Sequence, residues 1–381
     1  MVSYPKDWRN RELSEVIHSY INGTSLERFF TKQVGKKVIS LGNYSEDGKY
    51  IDDGIRVQEN NKTSRYIVEK DDLCMVLNDK GNGRLVGRVI LIDESNKYIF
   101  NQRSLRLVLD RDLVYPVFLH QYINSSQFRK NLKSCIQGNT QVYINPPSVM
   151  KLTINIPDYV EEQQAIADAL TAFDTHINNL AKLIQKKKMI RDGAVEDLVS
   201  GKRRLAGFSG KWEECNIGNI LEILHGKSQH NVESATGKYP ILGSGGTIGR
   251  ADKYLCDWKC VCIGRKGTID RPIFVDVPFW SIDTLYYSKP FPGQNPKYQY
   301  YLFKTIDWLD YAESSGRPSL SKSEIESISI RVPSLPEQQA IADILTAMDK
   351  EIANLEKEKE KYMALKAGAM DDLLTGKIRL V

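Results

Sequence analysis

The sequence predicts an α/β (α+β) protein in which two similar globular domains are separated by two long antiparallel coiled-coil helices, with a pseudo-twofold internal repeat. The heptapeptide EQQAIAD occurs at 162–168 and again, 175 residues later, at 337–343. Apolar residues recur after each copy at alternating spacings of three and four, which is typical of a coiled-coil seam. The blocks before the two copies differ in sequence but carry similar landmarks in the same order.

The repeated segments extend far beyond seven residues. Residues 162–205 align without a gap to residues 337–380, and a little over half of the positions are identical. Because the offset of 175 is a multiple of seven, both copies keep the same heptad phase. Gly201 and Gly376, each followed by basic residues, are predicted to end the helices. The predicted seam consists of Ile166, Leu170, Phe173, Ile177, Leu180 and Ile184 in the first copy and Ile341, Leu345, Met348, Ile352, Leu355 and Tyr362 in the second.

A helix of this length spans about 55 Å at 1.5 Å per residue. One such helix cannot bury its apolar seam alone, so we expect the two copies to pack against each other. The long block between them makes antiparallel pairing the natural arrangement. By themselves the helices have a structural role, which is to hold the two domains at a set distance.

The repeat divides the chain into alternating blocks and helices. The predicted parts are a first domain at 1–158, a first helix at 159–205, a second domain at 206–334 and a second helix at 335–381. Both domains carry the same series of landmarks, which indicates two diverged copies of one α/β fold. The landmarks are Trp8 with Leu13 and Trp212 with Ile217, the glycine-containing turns at 74–84 and 260–270, the strand-like runs RVILI (88–92) and RPIFVDV (271–277), and the aromatic–polar runs at 100–109 and 279–287.

Composition limits the function less than the repeat does. Hydrophobic residues make up 41% and charged residues 27% of the 381 positions, which is ordinary for a globular protein. The chain has no apolar run of 18 residues and no signal-like N-terminus, so we expect no membrane span, a cytoplasmic location and reduced cysteines. A net charge of +5 permits nucleic-acid binding. Two similar domains on a rigid spacer suit a bipartite ligand, and DNA is the obvious candidate.

Three parts of the sequence resemble the specificity subunit of type I restriction–modification systems. They are the repeated EQQAIADxL helix, the terminal LLTGKIRL, and the run IGRKGTIDRPIFVD…FWSIDTLYY. The resemblance covers essentially the whole chain. It implies a non-catalytic subunit of a prokaryotic DNA-methylating and DNA-cleaving complex, with two target recognition domains that each read one half of a split double-stranded DNA site, separated by helices that set the gap.

The same resemblance implies partners and cofactors. Two modification subunits would methylate adenine with S-adenosylmethionine, and restriction subunits would use ATP and Mg²⁺ to translocate and cut DNA. These cofactors are expected on the partner subunits and none is expected in this chain. As a hypothesis, the outer faces of the helices dock two modification subunits, because two similar surfaces can bind two copies of one partner. The residues predicted to carry this contact are Glu162, Asp168, Glu337 and Asp343.

Candidate DNA-binding residues follow from the chemistry of base edges and phosphates. Arg and Lys pair with guanine, Asn and Gln pair with adenine, and Lys, Arg, Ser and Thr also hold phosphates. We select polar residues in glycine-rich turns or at strand ends. They are Asn78, Lys80, Arg84, Asn101, Gln102, Arg103, Gln137, Asn139 and Gln141 in the first domain, and Lys227, Ser244, Thr247, Arg265, Lys266, Thr268, Ser281, Asp283, Ser315 and Arg317 in the second.

Three motifs test for chemistry in the chain itself. INPPS at 144–148 resembles the N-P-P-aromatic motif of adenine methyltransferases, but Ser148 replaces the aromatic residue, and we predict a loop. CDWKCVC at 256–262 lacks a CxxC pair, which favours buried thiols over a zinc site. HGKS at 225–228 lacks the upstream glycine of a phosphate-binding loop, because Leu221 occupies that place. No catalytic residues and no metal site are therefore predicted.

Two other functions remain open at this point. A self-contained DNA methyltransferase or endonuclease would bind S-adenosylmethionine without a partner. A coiled-coil interaction protein without DNA specificity would show no sequence preference on DNA.

Overall fold

The computed structural model describes residues 5–80, 83–138, 141–313, 316 and 318–380. The chain forms two compact units, Met1–Asn179 with Glu358–Val381, and Leu180–Lys357. Each unit contains one globular α/β domain and one part of each long helix.

The elements alternate as the sequence predicts. The helices are α1 (Pro116–Asn124), α2 (Ser126–Leu132), α3 (Pro146–Met150), α4 (Val160–Val199), α5 (Pro296–Lys304), α6 (Lys322–Ser327) and α7 (Leu335–Leu373). Short 3-10 helices lie at Leu13–Val16, Glu27–Phe29, Leu41–Asn43, Ser64–Tyr66, Lys133–Cys135 and Ile217–Asn219. Strands of the first unit are β1 (Trp8–Glu12), β2 (Ile17–Asn22), β3 (Phe30–Thr31), β4 (Lys36–Ile39), β5 (Arg56–Val57), β6 (Leu73–Val76), β7 (Asn78–Asp79), β8 (Val89–Leu91), β9 (Tyr98–Phe100), β10 (Ser104–Leu109), β11 (Ile136–Gln137), β12 (Val142–Ile144) and β13 (Thr153–Pro157). Strands of the second unit are β14 (Glu213–Asn216), β15 (Leu221–His225), β16 (Tyr239–Gly243), β17 (Gly246–Ala251), β18 (Cys260–Gly264), β19 (Ile273–Val275), β20 (Trp280–Ser281), β21 (Leu285–Pro290) and β22 (Ser329–Val332).

The globular domain of the first unit is built on an antiparallel sheet in the order β2-β10-β6-β8. A second sheet, β3-β5-β4-β9, contains one parallel pair, and two smaller sheets are β11-β12-β7 and β1-β13. Leu105 and Leu107 of β10 share one apolar core with Phe118 of α1. The start of α4 and the end of α7 close the same core with Ile166 and Leu373.

The second unit repeats the main sheet, the pairing of its first and last strands, and the parallel pair of a further sheet. Its main antiparallel sheet runs β15-β21-β18-β19, and β14 pairs with β22 as β1 pairs with β13. A third sheet, β17-β16-β20, again contains one parallel pair. The predicted α/β class and the internal repeat are therefore confirmed, because equivalent strands occupy equivalent places in the two domains.

The sequence landmarks lie at equivalent points of the two sheets. Both tryptophans are buried: Trp8 is the first residue of β1, and Trp212 directly precedes β14. The apolar run at 74–76 lies in β6, and that at 260–264 is β18. The predicted strands at 88–92 and 271–277 contain β8 and β19, each of which pairs with that run.

A glycine after the first strand of each main sheet is required by close backbone approach. A Cβ at Gly23 would lie 2.0 Å from the Asn101 carbonyl oxygen, and one at Gly226 would lie 1.8 Å from the Ile282 carbonyl oxygen. No side chain fits at such distances. The glycine of HGKS therefore serves the packing of the sheet.

The two long helices pair antiparallel in the first unit. Asp174 of α4 accepts two hydrogen bonds from Lys366 Nζ of α7 at 2.7 and 2.8 Å. The rings of Phe173 and Tyr362 lie 6.5 Å apart in the seam. Further along α4, His176 faces Glu358, which precedes Tyr362 in α7.

The same antiparallel pairing occurs in the second unit. Lys187 lies 2.7 Å from Glu351, and Arg191 forms an ion pair with Asp349. Leu180 and Ile184 are buried in α4, as the heptad pattern predicts. The helices are 40 and 39 residues long, which corresponds to about 60 Å each at 1.5 Å per residue.

The glutamate of each EQQAIAD segment holds the arginine that follows the other helix. Arg379 Nε and Nη2 donate to the two carboxylate oxygens of Glu162, with Nη2–Oε2 at 2.8 Å, and the same guanidinium also donates to Asp7. In the second unit, Arg204 donates to both carboxylate oxygens of Glu337 at 2.6 and 2.8 Å. The side chains of Glu162 and Glu337 are only 1% and 3% exposed. The repeat therefore encodes two equivalent ion pairs between a buried glutamate and a partly exposed arginine, which we call the arginine clamps.

The next residue of the segment ties the helix to its own domain. Gln163 donates to the carbonyl oxygens of Leu113 and Pro157 and accepts from the Tyr115 amide at 2.8 Å. Gln338 accepts from the Asn295 amide at 3.0 Å and is also buried. Tyr115 and Asn295 each directly precede a helix that begins with proline, α1 and α5. The EQQ sequence is thus repeated because each copy makes similar hydrogen bonds to its own globular domain.

Glycine ends each long helix, as predicted. Gly201 and Gly376 have φ angles of +75° and +69°, a left-handed conformation that glycine adopts without steric cost. The chain reverses direction there and brings Arg204 and Arg379 into the clamps.

The segment at 144–148 is not the loop that we predicted. Pro146–Met150 forms the short helix α3, with Asn145 at its N-cap. Proline is favoured at the first helical position, because that amide needs no intrahelical partner. The equivalent of α3 in the second unit is α6, which begins after Ser321.

The thiols of the second domain lie inside its sheet. Cys256, Cys260 and Cys262 are fully buried, with Sγ atoms of successive members 3.9 and 4.0 Å apart. The contact with Cys260 and burial both raise the pKa of Cys256. Among the described residues, no group of three or more His, Cys, Asp and Glu side chains is arranged to hold a metal ion. None of the described helices is both long and apolar enough to cross a membrane.

Candidate nucleic-acid interface

The turn at 101–103 organises the candidate residues of the first domain, and we call it turn A. Asn101 is buried, accepts from the Leu26 amide at 2.9 Å and donates to Ser40 Oγ at 3.1 Å. Its side chain therefore fixes the turn, and the structure favours this positioning role over the predicted contact with DNA. The reason is that both polar ends of its amide already have partners inside the domain.

Arg103 is the most exceptional residue of turn A. It has a φ of +68°, a left-handed conformation that costs a non-glycine residue of order 1–3 kcal/mol. Its carbonyl oxygen accepts from the Leu77 amide at 2.7 Å. Within the described part of the chain, its guanidinium has neither a hydrogen bond nor an ion pair. The fold thus holds a strained backbone in place beside a charged side chain with unused donors.

Turn A brings several predicted residues together. The bond from Leu77 to Arg103 places turn A beside Asn78, the first residue of β7. Asn78 Oδ1 accepts from Gln141 Nε2 at 2.8 Å. Gln102 donates to Glu27 at 3.0 Å. These half-buried and exposed amides and the Arg103 guanidinium form one polar surface.

The remaining candidates of the first domain are more scattered. Lys80 is exposed after β7, and Arg84 lies 3.4 Å from Glu46. Gln137 is exposed at the end of β11 and accepts from Asn145 at 3.3 Å. Asn139 lies outside the described residues.

The turn at 281–284, which we call turn B, occupies the equivalent place in the second domain. Ser281 is fully buried, and its hydroxyl donates to the Leu285 carbonyl at 2.8 Å. Its own carbonyl accepts from the Lys227 amide at 2.8 Å. Like Asn101, Ser281 therefore shapes the turn and is not placed for the predicted DNA contact. Lys227 is exposed beside it.

Turn B also gathers the predicted basic residues of its domain. The Arg265 amide donates to the Thr284 carbonyl at 2.8 Å, and its guanidinium lies 3.4 Å from the Asp283 carbonyl oxygen. Lys266 is exposed and bridges Ser319 through the backbone. The structure thus brings Lys227, Arg265, Lys266 and Asp283 to one side of the domain.

The other candidates of the second domain flank turn B. Ser244 lies in the turn between β16 and β17, Thr247 is exposed on β17, and Ile282 of turn B donates to the Leu242 carbonyl at 3.0 Å. The Thr268 carbonyl lies 1.9 Å from where a Cβ of Gly264 would be, so Thr268 packs against the end of β18. Ser315 and Arg317 lie outside the described residues.

Sequence reasoning missed a basic hollow of about 340 Å³ in the first domain. Its charged lining residues are Arg28, Lys62 and Arg65. They escaped notice because they come from two separate segments and do not lie in glycine-rich turns. The signal present in the sequence is the pairing of each arginine with a following aromatic residue, Phe29 and Tyr66.

The four residues predicted to dock partners divide into two pairs. Glu162 and Glu337 are buried in the arginine clamps. Asp168 and Asp343 are exposed on the same helices. The expected outer-surface position therefore applies to the aspartates and not to the glutamates.

The sequence matches a family model over most of its length. The model for the type I restriction modification DNA specificity domain matches twice, at residues 5–188 and 209–362. A putative type I restriction enzyme MjaX specificity subunit from Methanocaldococcus jannaschii is 26% identical over 432 residues, covering 99% of this chain and 95% of that protein. The MjaVIII specificity subunit from the same organism is 25% identical over 207 residues, covering 54% of this chain and 48% of that protein.

Solved structures have the same fold. The S subunit of a type I restriction–modification system from M. genitalium aligns with a TM-score of 0.66 at 19% identity, covering 98% of this chain and 97% of that one. An HsdS subunit from Thermoanaerobacter tengcongensis aligns with a TM-score of 0.52 at 15% identity, covering 99% and 98%. Together with the two matches to the family model, these similarities establish that the chain belongs to the type I restriction–modification DNA specificity family.

Proposed function

We propose that this chain reads a split DNA site, with each globular domain recognising one half and the paired helices setting the gap. The observation that carries the proposal is the equivalence of turns A and B. Two copies of one fold present different polar side chains at the same place, Gln102 and Arg103 in one and Asp283 and Thr284 in the other. Two copies of one fold with different side chains in equivalent turns are suited to recognising two different short sequences on one DNA molecule.

The chemistry of the turns suits base recognition. A guanidinium without an internal partner, such as that of Arg103, can pair with guanine O6 and N7 in the major groove. The amides of Gln102 and Gln141 can pair with adenine, and Lys227 and Lys266 can hold phosphates. Asn101 and Ser281 have an indirect role in this proposal, because their hydrogen bonds maintain the conformation of the turns.

The chain is proposed to do no chemistry itself. The NPP segment begins a helix, the thiols of Cys256, Cys260 and Cys262 are buried, and no group of three or more His, Cys, Asp and Glu side chains among the described residues is arranged to hold a metal ion. Methyl transfer with S-adenosylmethionine is assigned to two modification subunits, and ATP- and Mg²⁺-dependent cleavage is assigned to restriction subunits. A complex that acts on DNA in this way would work in the prokaryotic cytoplasm.

Mapping adenine methylation across the genome of the native host, with and without this gene, tests the proposed function. We expect deletion to abolish methylation at one motif made of two short halves and a fixed non-specific gap. Re-expression of the gene should restore the same motif. Loss of a contiguous motif would favour a self-contained enzyme, and unchanged methylation would contradict the proposal.

Reversing the charge of the exposed aspartates of the repeat tests whether modification subunits dock there. The double variant Asp168→Lys/Asp343→Lys is expected to weaken co-purification with the modification subunits at least tenfold, because it reverses a charge at the same place on both copies of the surface. The affinity is measured by titrating the purified subunits.

A matched control uses the exposed acids Glu358 and Glu360 of α7, whose counterparts in α4 are Leu183 and Gln185. The variant Glu358→Lys/Glu360→Lys makes the same change in net charge at positions that do not repeat. It should bind normally. Equal binding by both double variants would contradict docking at the repeated aspartates.

A further inference from the structure

The basic hollow of the first domain is lined by three cations and no carboxylate. Arg28, Lys62 and Arg65 are exposed on its wall, and Thr24, Ser25 and Asn61 add uncharged polar groups to its lining. A concave site with net charge +3 and hydroxyl groups favours a ligand with several anionic oxygens.

The cations of the hollow have no acidic partner among the described residues. Within the described residues, Arg28 and Lys62 make no hydrogen bond or ion pair through their side chains, and the guanidinium of Arg65 donates only to the Tyr66 hydroxyl. Elsewhere in the same domain Lys97 is paired with both Asp93 and Glu94. Uncompensated like charges repel one another, so this arrangement becomes favourable when an anion binds between them.

Both arginines are held in place by aromatic rings. The Arg28 guanidinium lies 4.7 Å from the centroid of the Phe29 ring, and that of Arg65 lies 4.7 Å from the Tyr66 ring. Stacking of this kind leaves the in-plane N–H groups free to donate. It also reduces the rotamer entropy that binding would otherwise cost.

The hollow borders turn A. The Leu26 amide donates to Asn101 Oδ1, and Glu27 accepts from Gln102, so the segment at 24–28 is fixed to the turn by two hydrogen bonds. The internal repeat gives the same location independently. Thr24 follows the closely packed Gly23 just as Lys227 follows Gly226 in the second domain.

We propose that the basic hollow binds backbone phosphate groups of DNA next to the half-site read by turn A. The inference rests on the proposed function. Arg28 and Arg65 donate hydrogen bonds to phosphate oxygens through their N–H groups, and Lys62 adds a positive charge. The hydroxyl groups of Thr24 and Ser25 donate to the same phosphates. These interactions fix the register of the duplex against turn A and carry no sequence information themselves.

The test is the salt dependence of DNA binding by the chain in complex with its modification subunits. The slope of log K against log salt is negative, and removing a cation that neutralises one phosphate reduces its magnitude by about 0.9. The triple variant Arg28→Ala/Lys62→Ala/Arg65→Ala is therefore expected to reduce the magnitude of the slope by about 2 to 3. It should weaken the binding of specific and non-specific duplexes by the same factor. The methylated motif should stay the same.

Matched variants separate charge from general damage. Lys97→Ala removes one paired cation from the same domain and should leave the slope unchanged. Arg28→Lys/Arg65→Lys keeps the charge and should retain most of the slope. If the triple variant fails to fold, the single variants Arg28→Gln and Arg65→Gln provide the same test at about one unit of slope or less each.

The outcomes distinguish this inference from the proposed function. Wild-type binding to DNA with an unaltered slope in the variants would overturn the inference alone, as would a changed methylation motif. Tight binding of inorganic phosphate that is abolished in the triple variant, with DNA binding intact, would assign the hollow to a free anion and also overturn it. A wild-type complex that does not bind DNA would overturn the proposed function and the inference together.

Discussion

Replacing Arg379 with alanine is expected to lower the free energy of unfolding by about 3–5 kcal/mol, the range found when one partner of a buried ion pair is removed. The variant leaves the Glu162 carboxylate, which is 1% exposed, without its guanidinium. It also frees Asp7, whose pKa Arg379 holds below its usual range by hydrogen bonding. The segment after Gly376 should therefore detach from the start of α4.

Arg204→Ala should have a similar effect in the second unit. Glu337 would no longer accept the two hydrogen bonds from Arg204 and would keep only that from Trp212 Nε1 at 3.3 Å. Denaturant-induced unfolding of each variant, followed by circular dichroism, measures both decreases in stability. The two clamps are equivalent in sequence, so the two variants should be destabilised by comparable amounts.

Neighbouring exposed lysines supply the control. Lys377 and Lys202 lie two positions before the clamp arginines and pair with the surface carboxylates of Asp372 and Glu196. Their alanine variants should change stability by about 0.5 kcal/mol or less. The double variant Glu162→Gln/Arg379→Ala, which buries no unpaired charge, should be more stable than Arg379→Ala. An Arg379→Ala variant as stable as the lysine variants would rule out an energetic role for the clamp.

Local patterns in the sequence predicted the elements of the fold well. The heptad spacing predicted α4 and α7 because a helix in a coiled coil repeats its environment every 3.5 residues. Shared landmarks predicted two copies of one domain because several of them mark buried positions, such as Trp8 and Trp212. The turns of the candidate interface were found because glycine and polar residues cluster at strand ends.

Distant contacts within the chain were not predictable in the same way. Glu162 was expected on an outer face, and its partner Arg379 lies 217 residues away. Asn101 and Ser281 were selected as polar turn residues, but their hydrogen bonds turn them inward. The basic hollow joins residues from two separate segments. Such contacts depend on how strands are arranged in a sheet, and a single sequence carries no local signal of that arrangement.

Lengthening both helices by one heptad is expected to widen the gap of the methylated motif without changing either half. Insertion of seven residues after Asn179 in α4 and after Lys357 in α7 keeps the seam in phase and adds about 10.5 Å to each helix. That length corresponds to about three base pairs at 3.4 Å each. Adenine methylation mapping in a host carrying the lengthened chain measures the gap directly.

The phase of DNA predicts a second effect. Three further base pairs rotate one half-site by about 100° around the duplex, whereas one heptad rotates a coiled coil by only about 20°. The intervening DNA must therefore twist, and the energy of that distortion should lower affinity while leaving both half-site sequences intact. Insertion into α4 alone is the control, because pairs on the two sides of the inserted heptad, such as Asp174–Lys366 and Lys187–Glu351, could then not form together, and it should abolish methylation. New half-site bases with an unchanged gap would show that the helices do not set the spacing.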